Sequence, residues 1–257
     1  MKRFIMIKQL LFMLIMLSII LLLAFTLNNS GMNEIKRIKI EGCGLLSPDT
    51  YMSFAKLNNV DNYKNIDLHV IYDRLIKHPY IEDIDIAMIE RGIVEVKIKE
   101  KIMEAIFLQS EQQLLLTEHA QLLPMLPKTK NIDLPVITDY KKRKKLKLFG
   151  NVKKDKNLMS ALKIISTAKF IDKNLYQSIS TIDLHQGKTI TLDIININYP
   201  VLLGKQNEIK KTVYLSKILS QLNGKKINSY LNYLDLRFDN LVYLGFNKNL
   251  MIKKEKI

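Results

Sequence analysis

The sequence predicts an α+β protein: a single N-terminal apolar helix, a β-α-α-β-β unit, then a mixed, strand-rich domain ending on a hairpin. Three observations carry this. An apolar stretch runs from Leu10 to Leu27, broken only by Ser18 and Thr26. Residues 35–101 set alternating segments around two helical patterns. Beyond Ile102, short alternating runs punctuated by Pro124, Pro127 and Pro135 mix with two longer segments of helical period.

The N-terminal segment is the first element. Counted from Phe4 to Leu27 it has 24 residues, or about 36 Å of helix, enough for a bilayer core of roughly 30 Å. A cleaved signal peptide would have a shorter apolar core, about 7–15 residues, ending in a small-x-small site. Ala24-Phe25-Thr26-Leu27 offers none, so an uncleaved anchor is expected over 10–27. Lys2, Arg3 and Lys8 precede it, and Lys36, Arg37 and Lys39 follow. The uncharged stretch Asn28–Asn33 favours the N-terminus inside, since nearby charge sets orientation and long domains translocate regardless. This leaves residues 1–9 as a cytoplasmic stub, 28–34 as a linker, and the bulk of the chain outside.

The next elements are short. "NEIKRIKIEG" alternates Ile35, Ile38 and Ile40 with charge, as a strand does. In "LSPDTYMSFAKL", Ser47 suits an N-cap and Pro48 the first helical position. In "NIDLHVIYDRLIKHPYI", Asp67 can cap and Pro79 stops the helix, with His78 at its end capping the last carbonyls. "YIEDIDIAMIE", a turn at Arg91-Gly92 and "IVEVKIKEK" close the unit as two strands. From Ile102 come "MEAIFLQ", "QLLLTEH", "LLPML" and "LPVITD". A helix follows with Leu158, Ala161, Leu162, Ile165 and Ala168 on one stripe. A hairpin turns at Gln186-Gly187, "YPVLLG" is a short strand, and a helix repeats Leu215, Ile218, Leu219 and Leu222, with Gly224 as its C-cap. Residues 248–257 read as a charged tail.

Charge and composition exclude more than they assign. The chain has 40 basic side chains, three of them before the apolar run; the remaining 37 against 25 acidic leave +12. Such a surface favours polyanions or an acidic partner, although a Lys-, Asn- and Ile-rich background explains it equally. The run Lys141–Lys145 has no aromatic interleaving for nucleic acid. It reads as a solvated loop, with anionic lipid or wall polymer as the functional alternative. One cysteine, Cys43, makes no internal disulfide. The four histidines form no metal-ligand spacing, and nucleophile, P-loop and dinucleotide motifs are missing. The expectation is no catalytic residue, no metal, no cofactor and no nucleic acid: not an enzyme, but a membrane-tethered interaction protein.

"YLDLRFDNLVYLGF", residues 233–246, is the closing hairpin. A two-residue turn at Asp239-Asn240 would pair Phe238 with Leu241 and Leu236 with Tyr243. Leu234, Leu236, Phe238, Leu241 and Tyr243 would then face the core. Tyr233, Asp235, Arg237, Val242, Leu244 and Phe246 would face out. The last strand has no blunting charge or proline before Lys248, and an unblunted edge beside an arginine and aromatics is suited to β-strand addition.

The order of elements resembles the bacterial cell-division family FtsQ, called DivIB in some bacteria. "IKRIKIEG" resembles that family's first strand, and "IDLHVIYDRLIKHPYIEDIDIAMI" a segment of its POTRA module. "VEVKIKEKIMEAI" resembles the domain junction. "LLTEHAQLLP", "LPVITD" and "YLDLRFDNLVYLGF" resemble later segments, over about 210 residues. Met103, Ala120 and Phe246 depart from a proline, a glycine and a tryptophan common there. The resemblance implies a POTRA domain at 35–101 and an FtsQ-type β domain at 102–247. It implies a non-enzymatic, single-pass scaffold of the inner or cell membrane at the division septum, its bulk in the periplasm or its equivalent, linking early and late division proteins and regulating septal peptidoglycan synthesis. Its implied partners are FtsB (DivIC) and FtsL, with other divisome proteins reached through the POTRA domain. The positions matching the partner-binding surface are Arg237, Phe238, Asn240, Leu244 and Phe246. An anchored extracytoplasmic POTRA chaperone or translocation-type protein is the alternative. An anchored wall hydrolase would need a catalytic constellation that the sequence lacks.

Overall fold

The computed structural model describes residues 11–23, 35–109, 112–138, 146–185 and 188–247. Residues 11–23 form a helix, α1, with exposed apolar side chains along its length. Thirteen residues span about 20 Å. Among the described residues no helix is long and apolar enough to cross a membrane. The expected stub 1–9, the rest of the expected span 10–27, the linker 28–34, the Gln186-Gly187 turn, the Lys141–Lys145 run and the tail 248–257 lie outside the described residues.

The chain divides into two units. One takes residues through 42, 48–78 and 83–98; the other takes 43–47, 79–82 and the residues from 99 onward. The first has the order β1 (Arg37–Glu41), α2 (Pro48–Phe54), α3 (Leu68–Leu75), β2 (Ile81–Glu90), β3 (Ile93–Glu100). This is the β-α-α-β-β order read from the residues. Its sheet runs β1-β3-β2, with β1 parallel to β3 and Ile38 and Ile40 opposite Val94 and Val96. Asp67 caps α3 by accepting from the Val70 N–H at 2.8 Å. Ile71 and Leu75 of α3, Tyr51 of α2, and Val94 and Val96 are fully buried. His78, just beyond α3, is buried, with the Tyr51 and Phe54 rings edge-on to its imidazole at 4.7 Å each.

The second unit is a nine-stranded sheet with helices packed against it. Its strands are β4 (Met103–Gln109), β5 (Gln112–Thr117), β6 (Leu122–Pro124), β7 (Val136–Thr138), β8 (Ile179–Asp183), β9 (Thr191–Ile194), β10 (Val201–Leu202), β11 (Leu231–Asp235) and β12 (Tyr243–Phe246). The order across the sheet is β12-β11-β10-β9-β8-β7-β4-β5-β6. Pairings β4–β7, β7–β8 and β10–β11 are parallel; the others are antiparallel. Helices α4 (Lys156–Ile171), α5 (Lys173–Ser178) and α6 (Glu208–Leu222) fill the connections.

The apolar stripe of α4 is buried as its spacing requires, from Leu158 through Ala168. It joins Leu215 and Leu222 of α6 and the inward residues of the strands in one core. Helix α5 is an unforeseen element. Its cap, Asp172, accepts from the N–H groups of Asn174 and Leu175 and from the Ser216 hydroxyl on α6 at 2.7 Å. Those bonds, the Ser216 hydroxyl first, hold the Asp172 carboxyl below the usual carboxylate range. Ala120, the departure from glycine, does stand in a left-handed turn, at φ 59°. Burial pushes the Cys43 thiol up to about 11, with Glu100 adding to the shift, so it is protonated and inert at neutral pH.

Candidate functional site: the closing hairpin

The sheet ends differently at its two edges. At β6 the segment after Leu146 folds back along the strand: Phe149 N–H donates to Leu122 O at 2.8 Å, Leu122 N–H to Gly150 O at 3.1 Å, and Val152 N–H to Ala120 O at 2.7 Å. That edge is covered. At the other end, no described strand pairs with β12 on its far side. Asn247 N–H donates inward to Tyr230 O at 2.9 Å. Alternation along the strand therefore turns the main-chain groups of Leu244 and Phe246 toward the open edge.

The hairpin differs from its sequence-based pairing by one residue. Asp235 is opposite Tyr243, Leu234 opposite Leu244, Tyr233 opposite Gly245, and a bulge precedes Leu231 opposite Phe246. Pairing stops at Asp235 and Tyr243, and 236–242 form a loop turning at Asp239-Asn240. The cause lies in α6. Lys211, only 5 % exposed, donates from Nζ to the carbonyls of Leu203 (3.1 Å), Lys205 (3.3 Å) and Arg237 (3.3 Å). Lys210 Nζ donates to Asn240 Oδ1 at 2.9 Å, and Asn207 Nδ2 to Asp239 Oδ1 at 3.1 Å. These bonds hold the loop to the start of the helix and away from a continued ladder.

The one-residue shift exchanges the faces. Leu234 and Leu236 are buried as expected. Phe238, Leu241 and Tyr243, expected in the core, are exposed. Leu244, expected outside, packs against the core. Asp235, also expected outside, is 3 % exposed. It accepts from Arg237 Nη2 at 2.7 Å, from Nε at 3.0 and 3.1 Å, and from the Arg237 backbone N–H at 2.9 Å. Burial pushes the Asp235 carboxyl up, but the Arg237 side chain and N–H outweigh it and hold it below the usual range.

Each expected contact residue thus has a place. Arg237 is tied to Asp235 with its guanidinium half exposed, 6.0 Å from the Phe238 ring centre. Phe238 is 52 % exposed and meets Tyr243 edge-to-face at 5.2 Å. Asn240 sits in the left-handed turn at φ 59°, its side chain held by Lys210. Phe246 is exposed on β12, and Leu244 is turned inward. The outer face adds Tyr233, whose ring lies over Gly245; a Cβ there would come within 2.3 Å of it, an aromatic cover over a strand glycine.

The geometry therefore brings together a strand edge with no described neighbour, exposed Phe238, Leu241, Val242, Tyr243 and Phe246, and one anchored arginine. Such a surface can add a strand by main-chain bonds and select it by apolar contact. Lys210 and Lys211 escaped the sequence reading, although Lys211 lies one helical turn before Leu215 on the buried stripe of α6. Among the described residues, no group of three His, Cys, Asp or Glu side chains could hold a metal ion.

The family described as cell division protein FtsQ/DivIB, C-terminal, matches residues 105–237. Of the contact residues only Arg237 falls inside that match. The chain is also similar to the major extracytoplasmic domain of the cell-division protein DivIB, in its trans isomer, from Geobacillus stearothermophilus. Identity is 12 % and the TM-score 0.31, over 49 % of this chain and 99 % of that one. No curated protein matches. The family match takes in more than half of the chain, including most of β4, the strands β5 to β11 and helices α4, α5 and α6: the chain belongs to the FtsQ/DivIB family of cell-division proteins.

Proposed function

We propose that this protein is a non-enzymatic scaffold of the division machinery, anchored by one N-terminal span with its bulk outside the cytoplasm. It binds the family's small partners FtsB (DivIC) and FtsL through the closing hairpin, and through them takes part in controlling septal peptidoglycan synthesis. Residues 35–101 serve as the POTRA domain that receives other divisome proteins. The observation that carries this reading is the far edge of β12, with which no described strand pairs, flanked by exposed Phe238, Tyr243 and Phe246, on a sheet whose opposite edge is covered. A protein that left such an edge free would risk edge-to-edge association, so an occupant is expected.

The contact set is revised from the sequence reading. Phe238, Tyr243 and Phe246 touch the partner directly. Arg237 borders the contact from its Asp235 anchor, Asn240 shapes the turn, and Leu244 contributes its main chain alone. The test is photo-crosslinking in dividing cells from positions 238 and 246 of the full chain, with exposed Phe170 on α4 as the control. Capture of small coiled-coil division proteins from 238 and 246, and not from 170, is the expected result. Intact division with no capture from either hairpin position would overturn the assignment of the edge.

A further inference from the structure

The turn that covers the β6 edge has a feature its covering role does not require. Gly150 N–H donates to Lys147 O at 3.1 Å, which makes Lys147–Gly150 a β-turn with Leu148 and Phe149 at its centre. Phe149 has φ 61°. A turn with its third residue left-handed favours glycine or asparagine there, and a bulky L-residue is strained. Phe149 is nonetheless 52 % exposed, and Leu148 beside it is exposed too. Neither side chain belongs to the core. The main chain beneath them is firmly held: Phe149 N–H to Leu122 O, Leu122 N–H to Gly150 O, and Gln121 Nε2 to Phe149 O at 3.2 Å. Two large apolar groups are thus presented to solvent on a rigid base, at a conformational cost that burial does not offset.

The surroundings are basic. Lys147 opens the turn, and Lys153, Lys154 and Lys156 follow it, all exposed; only Asp155, spent on capping α4, interrupts them. Exposed apolar tips with exposed lysines close by in the chain match an interface where hydrocarbon lies under negative charge, as in anionic lipid. Each basic residue near such a surface adds attraction, and the apolar pair gains by leaving water. A solvated wall polymer would use the lysines and leave Leu148 and Phe149 unexplained.

We propose that the Lys147–Gly150 turn, with Lys153, Lys154 and Lys156, docks on an anionic membrane surface, Leu148 and Phe149 entering the boundary between head groups and acyl chains. The domain would then be held at both sheet edges, by a protein partner at β12 and by lipid beside β6. The proposal rests on the membrane anchor of the preceding reading and does not depend on the partner edge.

The chain contains no tryptophan, so Phe149→Trp supplies the sole indole as a reporter. The full chain is reconstituted in nanodiscs of phosphatidylglycerol and phosphatidylcholine, or of phosphatidylcholine alone, each with brominated acyl chains. Unchanged thermal unfolding of the variant establishes that the domain is folded. The expected result is at least twofold quenching in the anionic discs only, lost at 0.5 M salt and lost on adding Lys153→Gln, Lys154→Gln and Lys156→Gln. Quenching equal in both lipids, or absent from both, overturns the proposal. An emission shift on adding polyglycerol phosphate, without quenching by lipid, overturns it in favour of wall polymer. Failure of the anchor reading itself is seen separately, as full chain that does not incorporate into discs.

Discussion

Phe238→Ala isolates the closing hairpin as a docking surface. An aromatic side chain buries about 150–250 Å² when fully enclosed. Phe238 keeps 52 % of its surface exposed, which leaves roughly 80–130 Å² for a partner to cover. At about 25 cal/mol per Å² this is ~2–3 kcal/mol, or a loss of affinity of roughly 30- to 200-fold. The cost to folding is smaller, because the ring's contact is the edge-to-face pair with Tyr243. That pair is worth about 0.5–1.5 kcal/mol, a melting shift of a few degrees at this size, on the order of 2–4 °C per kcal/mol. Titration calorimetry of the full chain in detergent against the partner's extracytoplasmic segment reads the affinity; circular dichroism reads the fold. A dissociation constant within threefold of wild type, with the fold intact, would refute the docking role of this face.

Three further predictions concern the architecture around the site. Leu244→Glu places a charge against the core and should lower stability by about 3 kcal/mol or more; urea unfolding at the wild-type midpoint would show that Leu244 does not pack inward. Asp235 has a depressed folded pKa, so its contribution is present above the unfolded value near 3.9 and is lost as pH falls through the folded value. The stability gap between wild type and Asp235→Asn, about 1.5–3 kcal/mol at pH 7, should therefore narrow as the pH falls below the unfolded value in urea titrations, and a constant gap would contradict the ion pair. Gly42 closes β1 at φ 84°, where a Cβ would come within 2.1 Å of Ile98 O; Gly42→Ala should cost about 2 kcal/mol or more and speed amide exchange along β1 and β3, whereas unchanged exchange would place Gly42 outside a tight contact.

Local patterns carried most of the elements. Asp67 before an apolar stripe, Leu158 to Ala168 at helical spacing and the alternation of Ile38 and Ile40 each state a secondary structure, because period and cap chemistry act within one turn or one strand. The lack of any blunting charge or proline before Lys248 was also legible, and no described strand pairs with β12 on its far side. The register of that strand was not. A turn at Asp239-Asn240 is correct as chemistry, yet three bonds from Asn207, Lys210 and Lys211 decide where the ladder stops. Those residues lie 26 to 32 positions away in the chain, beyond the reach of any local pattern. The one-residue slip follows from them, and with it the exchange of Leu244 for Tyr243 on the outer face and the burial of Asp235 beneath Arg237. The parallel pairings β4–β7, β7–β8 and β10–β11 were hidden for the same reason. Sequence by itself determined most of the strands and helices, α5 excepted, and that nothing before Lys248 blunts the last of those strands. Tertiary structure decided which side chains that strand presents, because facing depends on register, and register here is set by contacts between segments distant in the chain.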